Sequence, residues 1–512
     1  MSDVTPAPVL NRGWITVSIM LATFMQGVDT TIANVALPHM QGSFSVAQDQ
    51  IAWVITSYIV AAAIMTPLTG WLAGRFGIKY VFLISVVGFT VASALCGLAT
   101  SLAQLVFYRL LQGISGAALV PLSQAVLLQI NPPARHGQAM AIWGIGVILG
   151  PIIGPALGGW LTDDYSWRWV FYINLPAGIL ASAGIMIFIH QTRRVQREPF
   201  DFFGFVTLSL AIGALQMLLD RGELKDWFGS IEIWIAATIS GLCLYLFVVH
   251  TATATDRSFL NRDLLKDANC VAGTLLMFLI GIPLYGTMTL LPTMLQNLMN
   301  YPVFTTGLVT VPRGIGTMVA MILVARLIGR IDTRLLILAG LMLTAAALWQ
   351  MTGFSLQMGM GPIISTGMMQ GFGLGFVFTP LSIVTFSTLP RQLMTQGTAI
   401  FSLMRNIGGS VGIAIVEALL AQNTQIVHSR LVEHLRPDNP LASGPALQAP
   451  FSLTTPAGVA ALNAEATRQA AMVAYIDDYK LMMLLVVAAA PLLLLLRRPR
   501  SLPSGAAVAA VD

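Results

Sequence analysis

Five charged residues stand inside long apolar stretches of this 512-residue chain: Asp29, Arg109, Arg313, Arg405 and Glu417. An ionisable group within an apolar membrane helix costs at least about 2.5 kcal/mol, and it usually faces a cavity or a partner. Burial favours the protonated form of a carboxyl, whereas a neighbouring arginine favours the ionised form. Asp29, in the run GVDTTIANVALP, is therefore a candidate proton carrier. The alternative is a fixed ion pair that only joins two helices.

The arginines cannot themselves exchange protons, because a guanidinium group stays charged. Arg109, in the run FYRLLQG, can tune a nearby carboxyl or pin helices together, and the sequence leaves both roles open. Arg313 and Arg405 hold comparable places in the second half of the chain, where a structural role is favoured. For Glu417, at the end of its apolar stretch, a snorkelling position at the membrane rim is the simpler interpretation.

The composition requires a membrane around most of the chain. Hydrophobic residues make up 56% of it and charged residues 10%, with a mean hydropathy of +0.77, whereas soluble domains carry about 25% charged residues. The net charge of +5 does not indicate nucleic acid, because the basic residues are dispersed. Cys96, Cys243 and Cys270 lie in apolar stretches without a CxxC pair, so neither a disulfide nor a metal site is predicted.

Fourteen stretches are long enough to cross a bilayer, which takes about 20 apolar residues. The first stretch lacks a charged leader and a cleavage site, so it is predicted to be a retained helix rather than a signal peptide. The fourteen stretches lie near residues 14–37, 51–73, 80–99, 103–130, 138–161, 169–190, 202–220, 231–250, 269–291, 304–328, 335–353, 361–388, 397–420 and 480–496.

The basic residues predict how the chain is oriented. An even number of spans puts both termini on one side. Placing that side in the cytoplasm leaves 17 of the 27 basic residues in cytoplasmic segments and seven in outer segments, as the positive-inside rule requires. The longest outer segment, residues 421–479, mixes amphipathic stretches with a Pro/Ser/Gly/Ala-rich centre. It is either a solvated hairpin cap or a docking surface for a periplasmic partner.

The two ends of the chain repeat each other at a nearly constant offset of about 255–260 residues, as repeated halves of secondary transporters do. Gln112-Gly113 followed by Pro121-Leu122-Ser123 recurs as Gln370-Gly371 followed by Pro380-Leu381-Ser382. The repeat predicts a six-helix bundle in residues 1–192 and another in 268–500, which includes the segment 421–479. Residues 193–267 are then two inserted helices with linkers, and 501–512 are a cytoplasmic tail.

Glycine and proline crowd the fifth apolar stretch. A proline bends a helix, and glycines spaced four apart let another helix lie close. Tight packing is therefore predicted, and a pivot shared by two gating states is compatible with it. The residues concerned are Gly150, Pro151, Gly154, Pro155, Gly158 and Gly159.

Several motifs resemble those of the major facilitator superfamily. Its loop motif GxLaDRxGrK is matched at residues 70–79 by GWLAGRFGIK, which keeps Gly70, Arg75, Gly77 and Lys79. Gly74 replaces the usual acid, a departure that bears on any latch built on that carboxylate. The pattern Arg109, Gln112, Gly113 looks like the superfamily's arginine motif, which is associated with proton coupling. The string GPIIGPALGGW at 150–160 resembles the antiporter motif that marks exporters.

Two longer runs are more specific. Asp29–Pro38 and Trp167–Pro176, together with Asp220-Arg221-Gly222, resemble the fourteen-span drug:proton antiporters of the EmrB type. The resemblance covers roughly residues 12–420 and the last helix. It implies the major facilitator fold, alternating access by rocking of two bundles, and proton coupling through Asp29 and Arg109. In Gram-negative bacteria it also implies the inner membrane, a periplasmic membrane-fusion adaptor and an outer-membrane channel.

A gradient must drive such a protein, because the chain has no GxxxxGK[ST] phosphate loop for ATP. The six histidines form no metal spacing such as HExxH, so neither an enzyme nor a metal or other cofactor is expected. The predicted function is proton-coupled export of small hydrophobic or amphipathic compounds across the inner membrane. The alternative is export of one specific metabolite, such as a siderophore, sugar or amino acid derivative.

The substrate pocket is predicted between the halves at mid-membrane depth. Aromatic surfaces there would accept varied apolar shapes, and amides would orient them. The candidates are Asn34, Tyr58, Gln112, Gln124, Trp143, Tyr285, Gln370, Phe378, Phe386 and Asn406.

Overall fold

The computed structural model describes residues 11–132, 135–189, 200–253, 260–435 and 451–497, and within these ranges the chain is helical without a strand. The predicted tail 501–512 and the centre of the long outer segment lie outside the described residues. So do several basic residues used for the orientation, namely Arg193, Arg194, Arg197, Arg257, Arg436, Arg498 and Arg500.

Within the described ranges, thirteen helices are long and apolar enough to cross a bilayer, or fourteen when one bent pair counts as one span. That number agrees with the prediction. Along the chain they are α1 Arg12–Phe44, α2 Trp53–Met65 with Leu68–Phe76, α3 Ile78–Leu98, α4 Leu102–Ile130, α5 His136–Asp164, α6 Trp169–Phe188, α7 Phe202–Arg221, α8 Ile231–Thr253, α9 Ala268–Asn297, α10 Phe304–Leu327, α11 Thr333–Met351, α12 Met360–Phe386, α13 Met394–Val432 and α14 Pro456–Leu495.

Local residues explain where several helices begin or bend. The two pieces of α2 meet at 56°, and Pro67 at this break cannot donate a backbone hydrogen bond. Short polar side chains accept a hydrogen bond from the first turn of a helix and so fix its start. Such caps begin α4, α7, α9, α11 and α14, at Ser101, Asp201, Asp267, Asp332 and Thr455.

The packing of helices repeats between the two ends of the chain. In the first bundle, α1 packs against α5 and α6, and α4 packs against α2 and α3; in the second, α9 packs against α13 and α14, and α12 against α10 and α11. Each helix of the second bundle in these pairs carries a number eight higher than its counterpart in the first bundle. The fold is thus two six-helix bundles with α7 and α8 inserted between them.

The bundles meet along two seams. In the first, α5 packs against α10 and α12; in the second, α13 packs against α4 and the Leu68–Phe76 piece of α2. The inserted helix α7 packs against both α2 and α13, and α8 packs against α7. Tyr245 of α8 is 65% exposed, as a side chain facing lipid would be. Only one of the two seams between the bundles therefore carries an extra helix.

Helices α13 and α14 are much longer than their apolar stretches predicted. They contain 39 and 40 residues, or about 60 Å each at 1.5 Å per residue, against a hydrocarbon thickness of about 30 Å. Most of the segment 421–479 is thus helical. Hydropathy does not predict these parts of the helices, because they are amphipathic and form no continuous apolar run. We call the end of the molecule from which α13 and α14 project the hairpin face, and the opposite end, where α1 begins, the N face.

Candidate functional site

The carboxylate of Asp29 lies fully buried inside the first bundle, where it accepts hydrogen bonds from three side chains. An Arg109 guanidinium nitrogen lies 2.6 Å from one carboxylate oxygen. The Gln112 amide and the Asn174 amide donate to the other oxygen at 2.8 and 2.9 Å. Helices α1, α4 and α6 thus converge on one charge, which is compensated by an ion pair and two amides.

Arg109 has further partners besides the acid. Its Nε donates to the Val54 carbonyl of α2 at 3.2 Å, and a terminal nitrogen donates to the Gln112 side-chain oxygen at 2.8 Å. The guanidinium also lies 4.7 Å from the Tyr58 ring centre and 5.4 Å from that of Phe171, distances at which an aromatic ring stabilises a cation. None of these contacts involves Asp29, so the arginine is held by partners other than the acid.

The glycine stripe of α5 packs against the segment of α1 that carries Asp29. A Cβ at Gly150 would lie 2.5 Å from the backbone of Gly27, and one at Gly154 would lie 2.1 Å from Thr31 Oγ1. A Cβ at Gly27 would lie 3.2 Å from the Pro151 ring. Gly158 repeats the contact one turn further along, whereas Pro155 and Gly159 are half-buried.

The other side of α5 contacts the second bundle. A Cβ at Gly144 would lie 2.6 Å from Met321 Sδ of α10, and one at Gly314 of α10 would lie 1.6 Å from Ile152. Helix α5 therefore stands between α1 and α10. The helix that carries Asp29 is thus connected by packing, through α5, to the seam between the bundles.

The repeat preserves the glutamine of this site but not its charges. Gln370 donates to Thr287 Oγ1 at 3.1 Å, across the same 83 positions that separate Gln112 from Asp29. Thr287 thus takes the place of the acid. Gly367, three positions before Gln370, takes the place of Arg109.

The two arginines predicted in the second half do not form a corresponding pair. Arg313 lies beside Gly367 and donates to the Leu284 carbonyl at 3.0 Å. Arg405 is buried and contacts the Asn406 side-chain oxygen at 3.4 Å. Among the described residues of the second bundle there is no buried pair of a carboxylate and a guanidinium.

The bundles touch closely at the N face. Gly70 lies against Gln396 of α13, so that a Cβ at Gly70 would come within 2.5 Å of Gln396 Cγ. The Thr398 hydroxyl donates to the Pro121 carbonyl at 3.1 Å. Together these contacts close the molecule at this end.

The remaining residues of the loop motif stabilise this end within the first bundle. Arg75 lies 5.8 Å from the Trp71 ring centre. Lys79 Nζ donates to the Met186 carbonyl of α6 at 2.7 Å. Gly77 has a φ of 90°, a conformation that favours glycine, and Gly74 faces open space.

Polar side chains of both bundles are exposed between the N face and the hairpin face. Asn34 of α1 is exposed and lines a cavity of about 280 Å³ with Gln41, Ala52 and Leu224, which belong to the first bundle and to the segment after α7. Thr30, next to Asp29, is exposed too, as is Asn406 on the facing bundle. With the N face closed, the described chain adopts the conformation of a transporter open towards its hairpin face.

The candidate substrate residues fall into three places. Asn34 and Asn406 are exposed, and Tyr285 and Phe378 are half-buried. Tyr58, Gln112 and Gln370 are buried within single bundles. The others are buried as well: Trp143 stacks on Phe378 across the seam at 5.7 Å, Gln124 contacts Met140 Sδ at 3.8 Å, and Phe386 packs on Phe401 at 5.3 Å.

Some polar contacts of the site were not predicted from the sequence. Asn174 lies in the run WRWVFYINLP, which was noted only as a family motif. Asp220 of α7 accepts a hydrogen bond from Thr56 of α2, and Gln216 of α7 donates to Ser410 of α13 at 2.8 Å. The inserted helix thus bonds to both bundles, which no spacing in the sequence could indicate.

Comparison with known proteins assigns the chain to a protein family. The model of the Major Facilitator Superfamily matches residues 19–413. The chain belongs to the major facilitator superfamily. The fatty acid resistance protein FarB of Neisseria gonorrhoeae is 36% identical to this superfamily member, over 85% of this chain and 86% of its own. The multidrug export protein EmrB of Escherichia coli K12 is also 36% identical, over 83% of this chain and 84% of its own.

Solved structures of the superfamily share the fold. The human organic anion transporter MFSD10 (TETRAN) superimposes with a TM-score of 0.60 at 14% identity, covering 93% of this chain and 99% of its own. The proton:xylose symporter XylE superimposes with a TM-score of 0.58 at 13% identity, covering 92% and 94%. The chain is accordingly a multi-pass membrane protein of a transporter superfamily.

Proposed function

We propose that this protein is a proton-coupled exporter that moves small hydrophobic or amphipathic compounds out of the cell by alternating access. One observation carries the proposal: a carboxyl buried in the first bundle, paired with an arginine, beside a cleft open at the hairpin face. Relatives named as multidrug export proteins over most of their length support the substrate class.

The coupling step is an exchange of the proton on Asp29. In the state described here the ionised acid holds Arg109, Gln112 and Asn174 together. A proton arriving from the hairpin face neutralises the acid and loosens α1 from α4 and α6. Through α5, which packs on both α1 and α10, this change favours closing the hairpin face and opening the N face. Release of the proton at the N face restores the pair.

The substrate surface is proposed on those candidates that the cleft reaches. Asn34 and Asn406 offer amides from opposite bundles, and Tyr285 and Phe378 offer aromatic faces. Tyr58, Gln112 and Gln370, which lie within single bundles, are assigned to the support of the site instead. A surface that is largely apolar and carries few polar groups suits compounds of varied shape.

The N face is proposed as the cytoplasmic side of a bacterial inner membrane, because the basic residues concentrate there. The two bundles are proposed to correspond to residues 1–192 and 268–500. A periplasmic adaptor and an outer-membrane channel would then meet the projecting part of α13 and α14. Its length beyond the bilayer supports such a role.

Export of a single compound class is the second candidate. One relative with 36% identity is named for resistance to fatty acids, which are amphipathic anions. The cleft residues Asn34 and Asn406 carry no charge and would suit either class.

Everted membrane vesicles separate these possibilities. We expect uptake of ethidium and rhodamine to follow acidification of the lumen and to stop when a protonophore is added. Uptake that survives the protonophore would contradict proton coupling. Uptake of a medium-chain fatty acid alone, with both dyes excluded, would favour the second candidate.

A further inference from the structure

A second acid, Asp478 of α14, is fully buried and lacks the support that Asp29 has. Its exposure is 0%. Neither carboxylate oxygen has a hydrogen-bond partner among the described residues. The adjacent Asp477 is exposed to solvent, which makes the two neighbours an internal comparison.

Among the described residues, no cation is in contact with Asp478. Tyr475 and Tyr479, on its own helix, interact with it electrostatically, as Asp477 does. Glu417 of α13 and Tyr475 line one cavity, and Arg313 of α10 interacts electrostatically with Tyr479. Of the other helices packed against α14, α9 contains no acid or base other than Cys270 and Tyr285. The only charge on α11 is Arg334, which bonds to the Leu496 carbonyl near the N face.

An ionised carboxylate in such a place is very unfavourable, because burial removes its hydration and neither a donor nor a cation replaces it. The neutral acid is the form that this geometry accommodates. The conformation open to the hairpin face is therefore one in which Asp478 holds a proton.

A cavity lies on the hairpin-face side of Asp478. It measures about 400 Å³ and is lined by Glu417, Leu420, Ala471 and Tyr475, among others. Ala471, Tyr475 and Asp478 follow one another at helical spacing on one face of α14, so the acid lies about one turn below the cavity. Asp478 lies 17 residues before Leu495, the N-face end of the helix, or about 25 Å from it. This distance places the acid just inside the edge of a hydrocarbon core about 30 Å thick.

We propose that Asp478 is a second proton carrier of the transport cycle, loaded from the hairpin face through the cavity lined by Glu417 and Tyr475. The proposal rests on the proposed proton-coupled function. In the opposite conformation the carboxyl O–H ionises and its proton passes to water. Arg313 interacts electrostatically with Tyr479 and, among the described residues, donates only to a backbone carbonyl. It is the cation available to compensate the carboxylate.

Counting protons in proteoliposomes tests the proposal. The number of protons moved per molecule of ethidium, or of another exported compound, follows from the pH gradient that just balances an opposing gradient of that compound. We expect Asp478→Asn to lower this number by about one, and Asp477→Asn to leave it unchanged. An unchanged number in Asp478→Asn overturns this proposal alone. A wild-type protein that moves no proton overturns the coupled function, and the second carrier with it.

A measurement on the wild-type protein covers the case in which Asp478→Asn does not fold. Dicyclohexylcarbodiimide adds to protonated carboxyls in apolar surroundings, and peptide mass spectrometry locates the adduct. We expect an adduct at Asp478 and none at Asp477, and less adduct when exported compound keeps the transporter cycling. No adduct at Asp478, or one whose yield is the same with and without cycling, overturns the proposal.

Discussion

At the scale of single residues, the balance of contacts around Asp29 decides whether it can work as a switch. Three donors satisfy the ionised acid, whereas Arg109 keeps the Val54 carbonyl and two aromatic rings when the acid is neutral. Removing one partner of a buried ion pair usually costs about 3–5 kcal/mol, because it leaves the other charge uncompensated. The Val54 carbonyl and the two aromatic rings stabilise Arg109 independently of Asp29 and so reduce this cost.

The repeat provides a matched pair of substitutions at this scale. Gln112→Ala removes a donor to Asp29 and an acceptor for Arg109, and an unsatisfied buried group costs about 1–3 kcal/mol. Gln370→Ala removes only the bond to Thr287. We expect proton-driven dye uptake into everted vesicles to fall roughly tenfold or more for Gln112→Ala, since about 1.4 kcal/mol is a factor of ten. Gln370→Ala should retain most of the uptake. Equal losses in the two variants would contradict a special role for the first bundle.

The sequence predicted the charges of the site but not all of their partners. Asp29 and Arg109 were recognisable because charges are rare in apolar stretches, and a fixed pair was one of the two readings. Asn174 and Thr56 were not assigned, because an amide or hydroxyl in a membrane helix is common and its neighbour depends on packing. Asp478 falls in the predicted outer segment 421–479, because its helix extends well beyond the apolar stretch.

At the scale of helices, the position of α5 between α1 and α10 connects the site to the seam. Because a Cβ at Gly150 would lie 2.5 Å from the Gly27 backbone, any larger residue must push α1 aside. Overpacking of this kind typically costs about 1–3 kcal/mol.

Valine substitutions test this packing. We expect Gly150→Val to lower the thermal unfolding midpoint of the purified protein and to impair transport. Gly241→Val is the control, because Gly241 of α8 faces open space; its midpoint should match that of the wild type. A Gly150→Val protein as stable and active as the control would show that the close approach of α1 and α5 is not required.

Hydropathy predicted the number of helices well but not the length of α13 and α14. A run of apolar residues identifies the part of a helix in lipid, because only that part must be apolar on all sides. The continuation into water is amphipathic, and its helical form depends on the pairing of α13 with α14. The contact of α7 with both bundles was unpredictable for a similar reason, as it is set by packing.

At the scale of the whole molecule, the two faces differ in access. Thr398 is buried between the bundles at the N face, whereas Asn34 is exposed in the cleft. The repeat in the sequence predicted the paired bundles, because equivalent apolar faces pack equivalently. It could not predict which face is open, since both conformations use the same residues.

Cysteine labelling measures this difference. In a background with Cys96, Cys243 and Cys270 replaced, Asn34→Cys should react with a membrane-impermeant thiol reagent applied at the hairpin face. Thr398→Cys should resist the reagent at the N face in resting vesicles, and react faster when transport is running. Fast reaction of Thr398→Cys at rest, together with protection of Asn34→Cys, would contradict the conformation described here.

The most direct test of proton exchange at Asp29 compares two kinds of transport by the Asp29→Asn variant in proteoliposomes. Gradient-driven uptake requires the proton, whereas exchange of labelled for unlabelled dye requires only that the bundles rock with substrate bound. We predict that Asp29→Asn retains exchange but loses uptake driven by a pH gradient. Gradient-driven uptake at the wild-type rate would contradict the assignment of the coupling proton to Asp29.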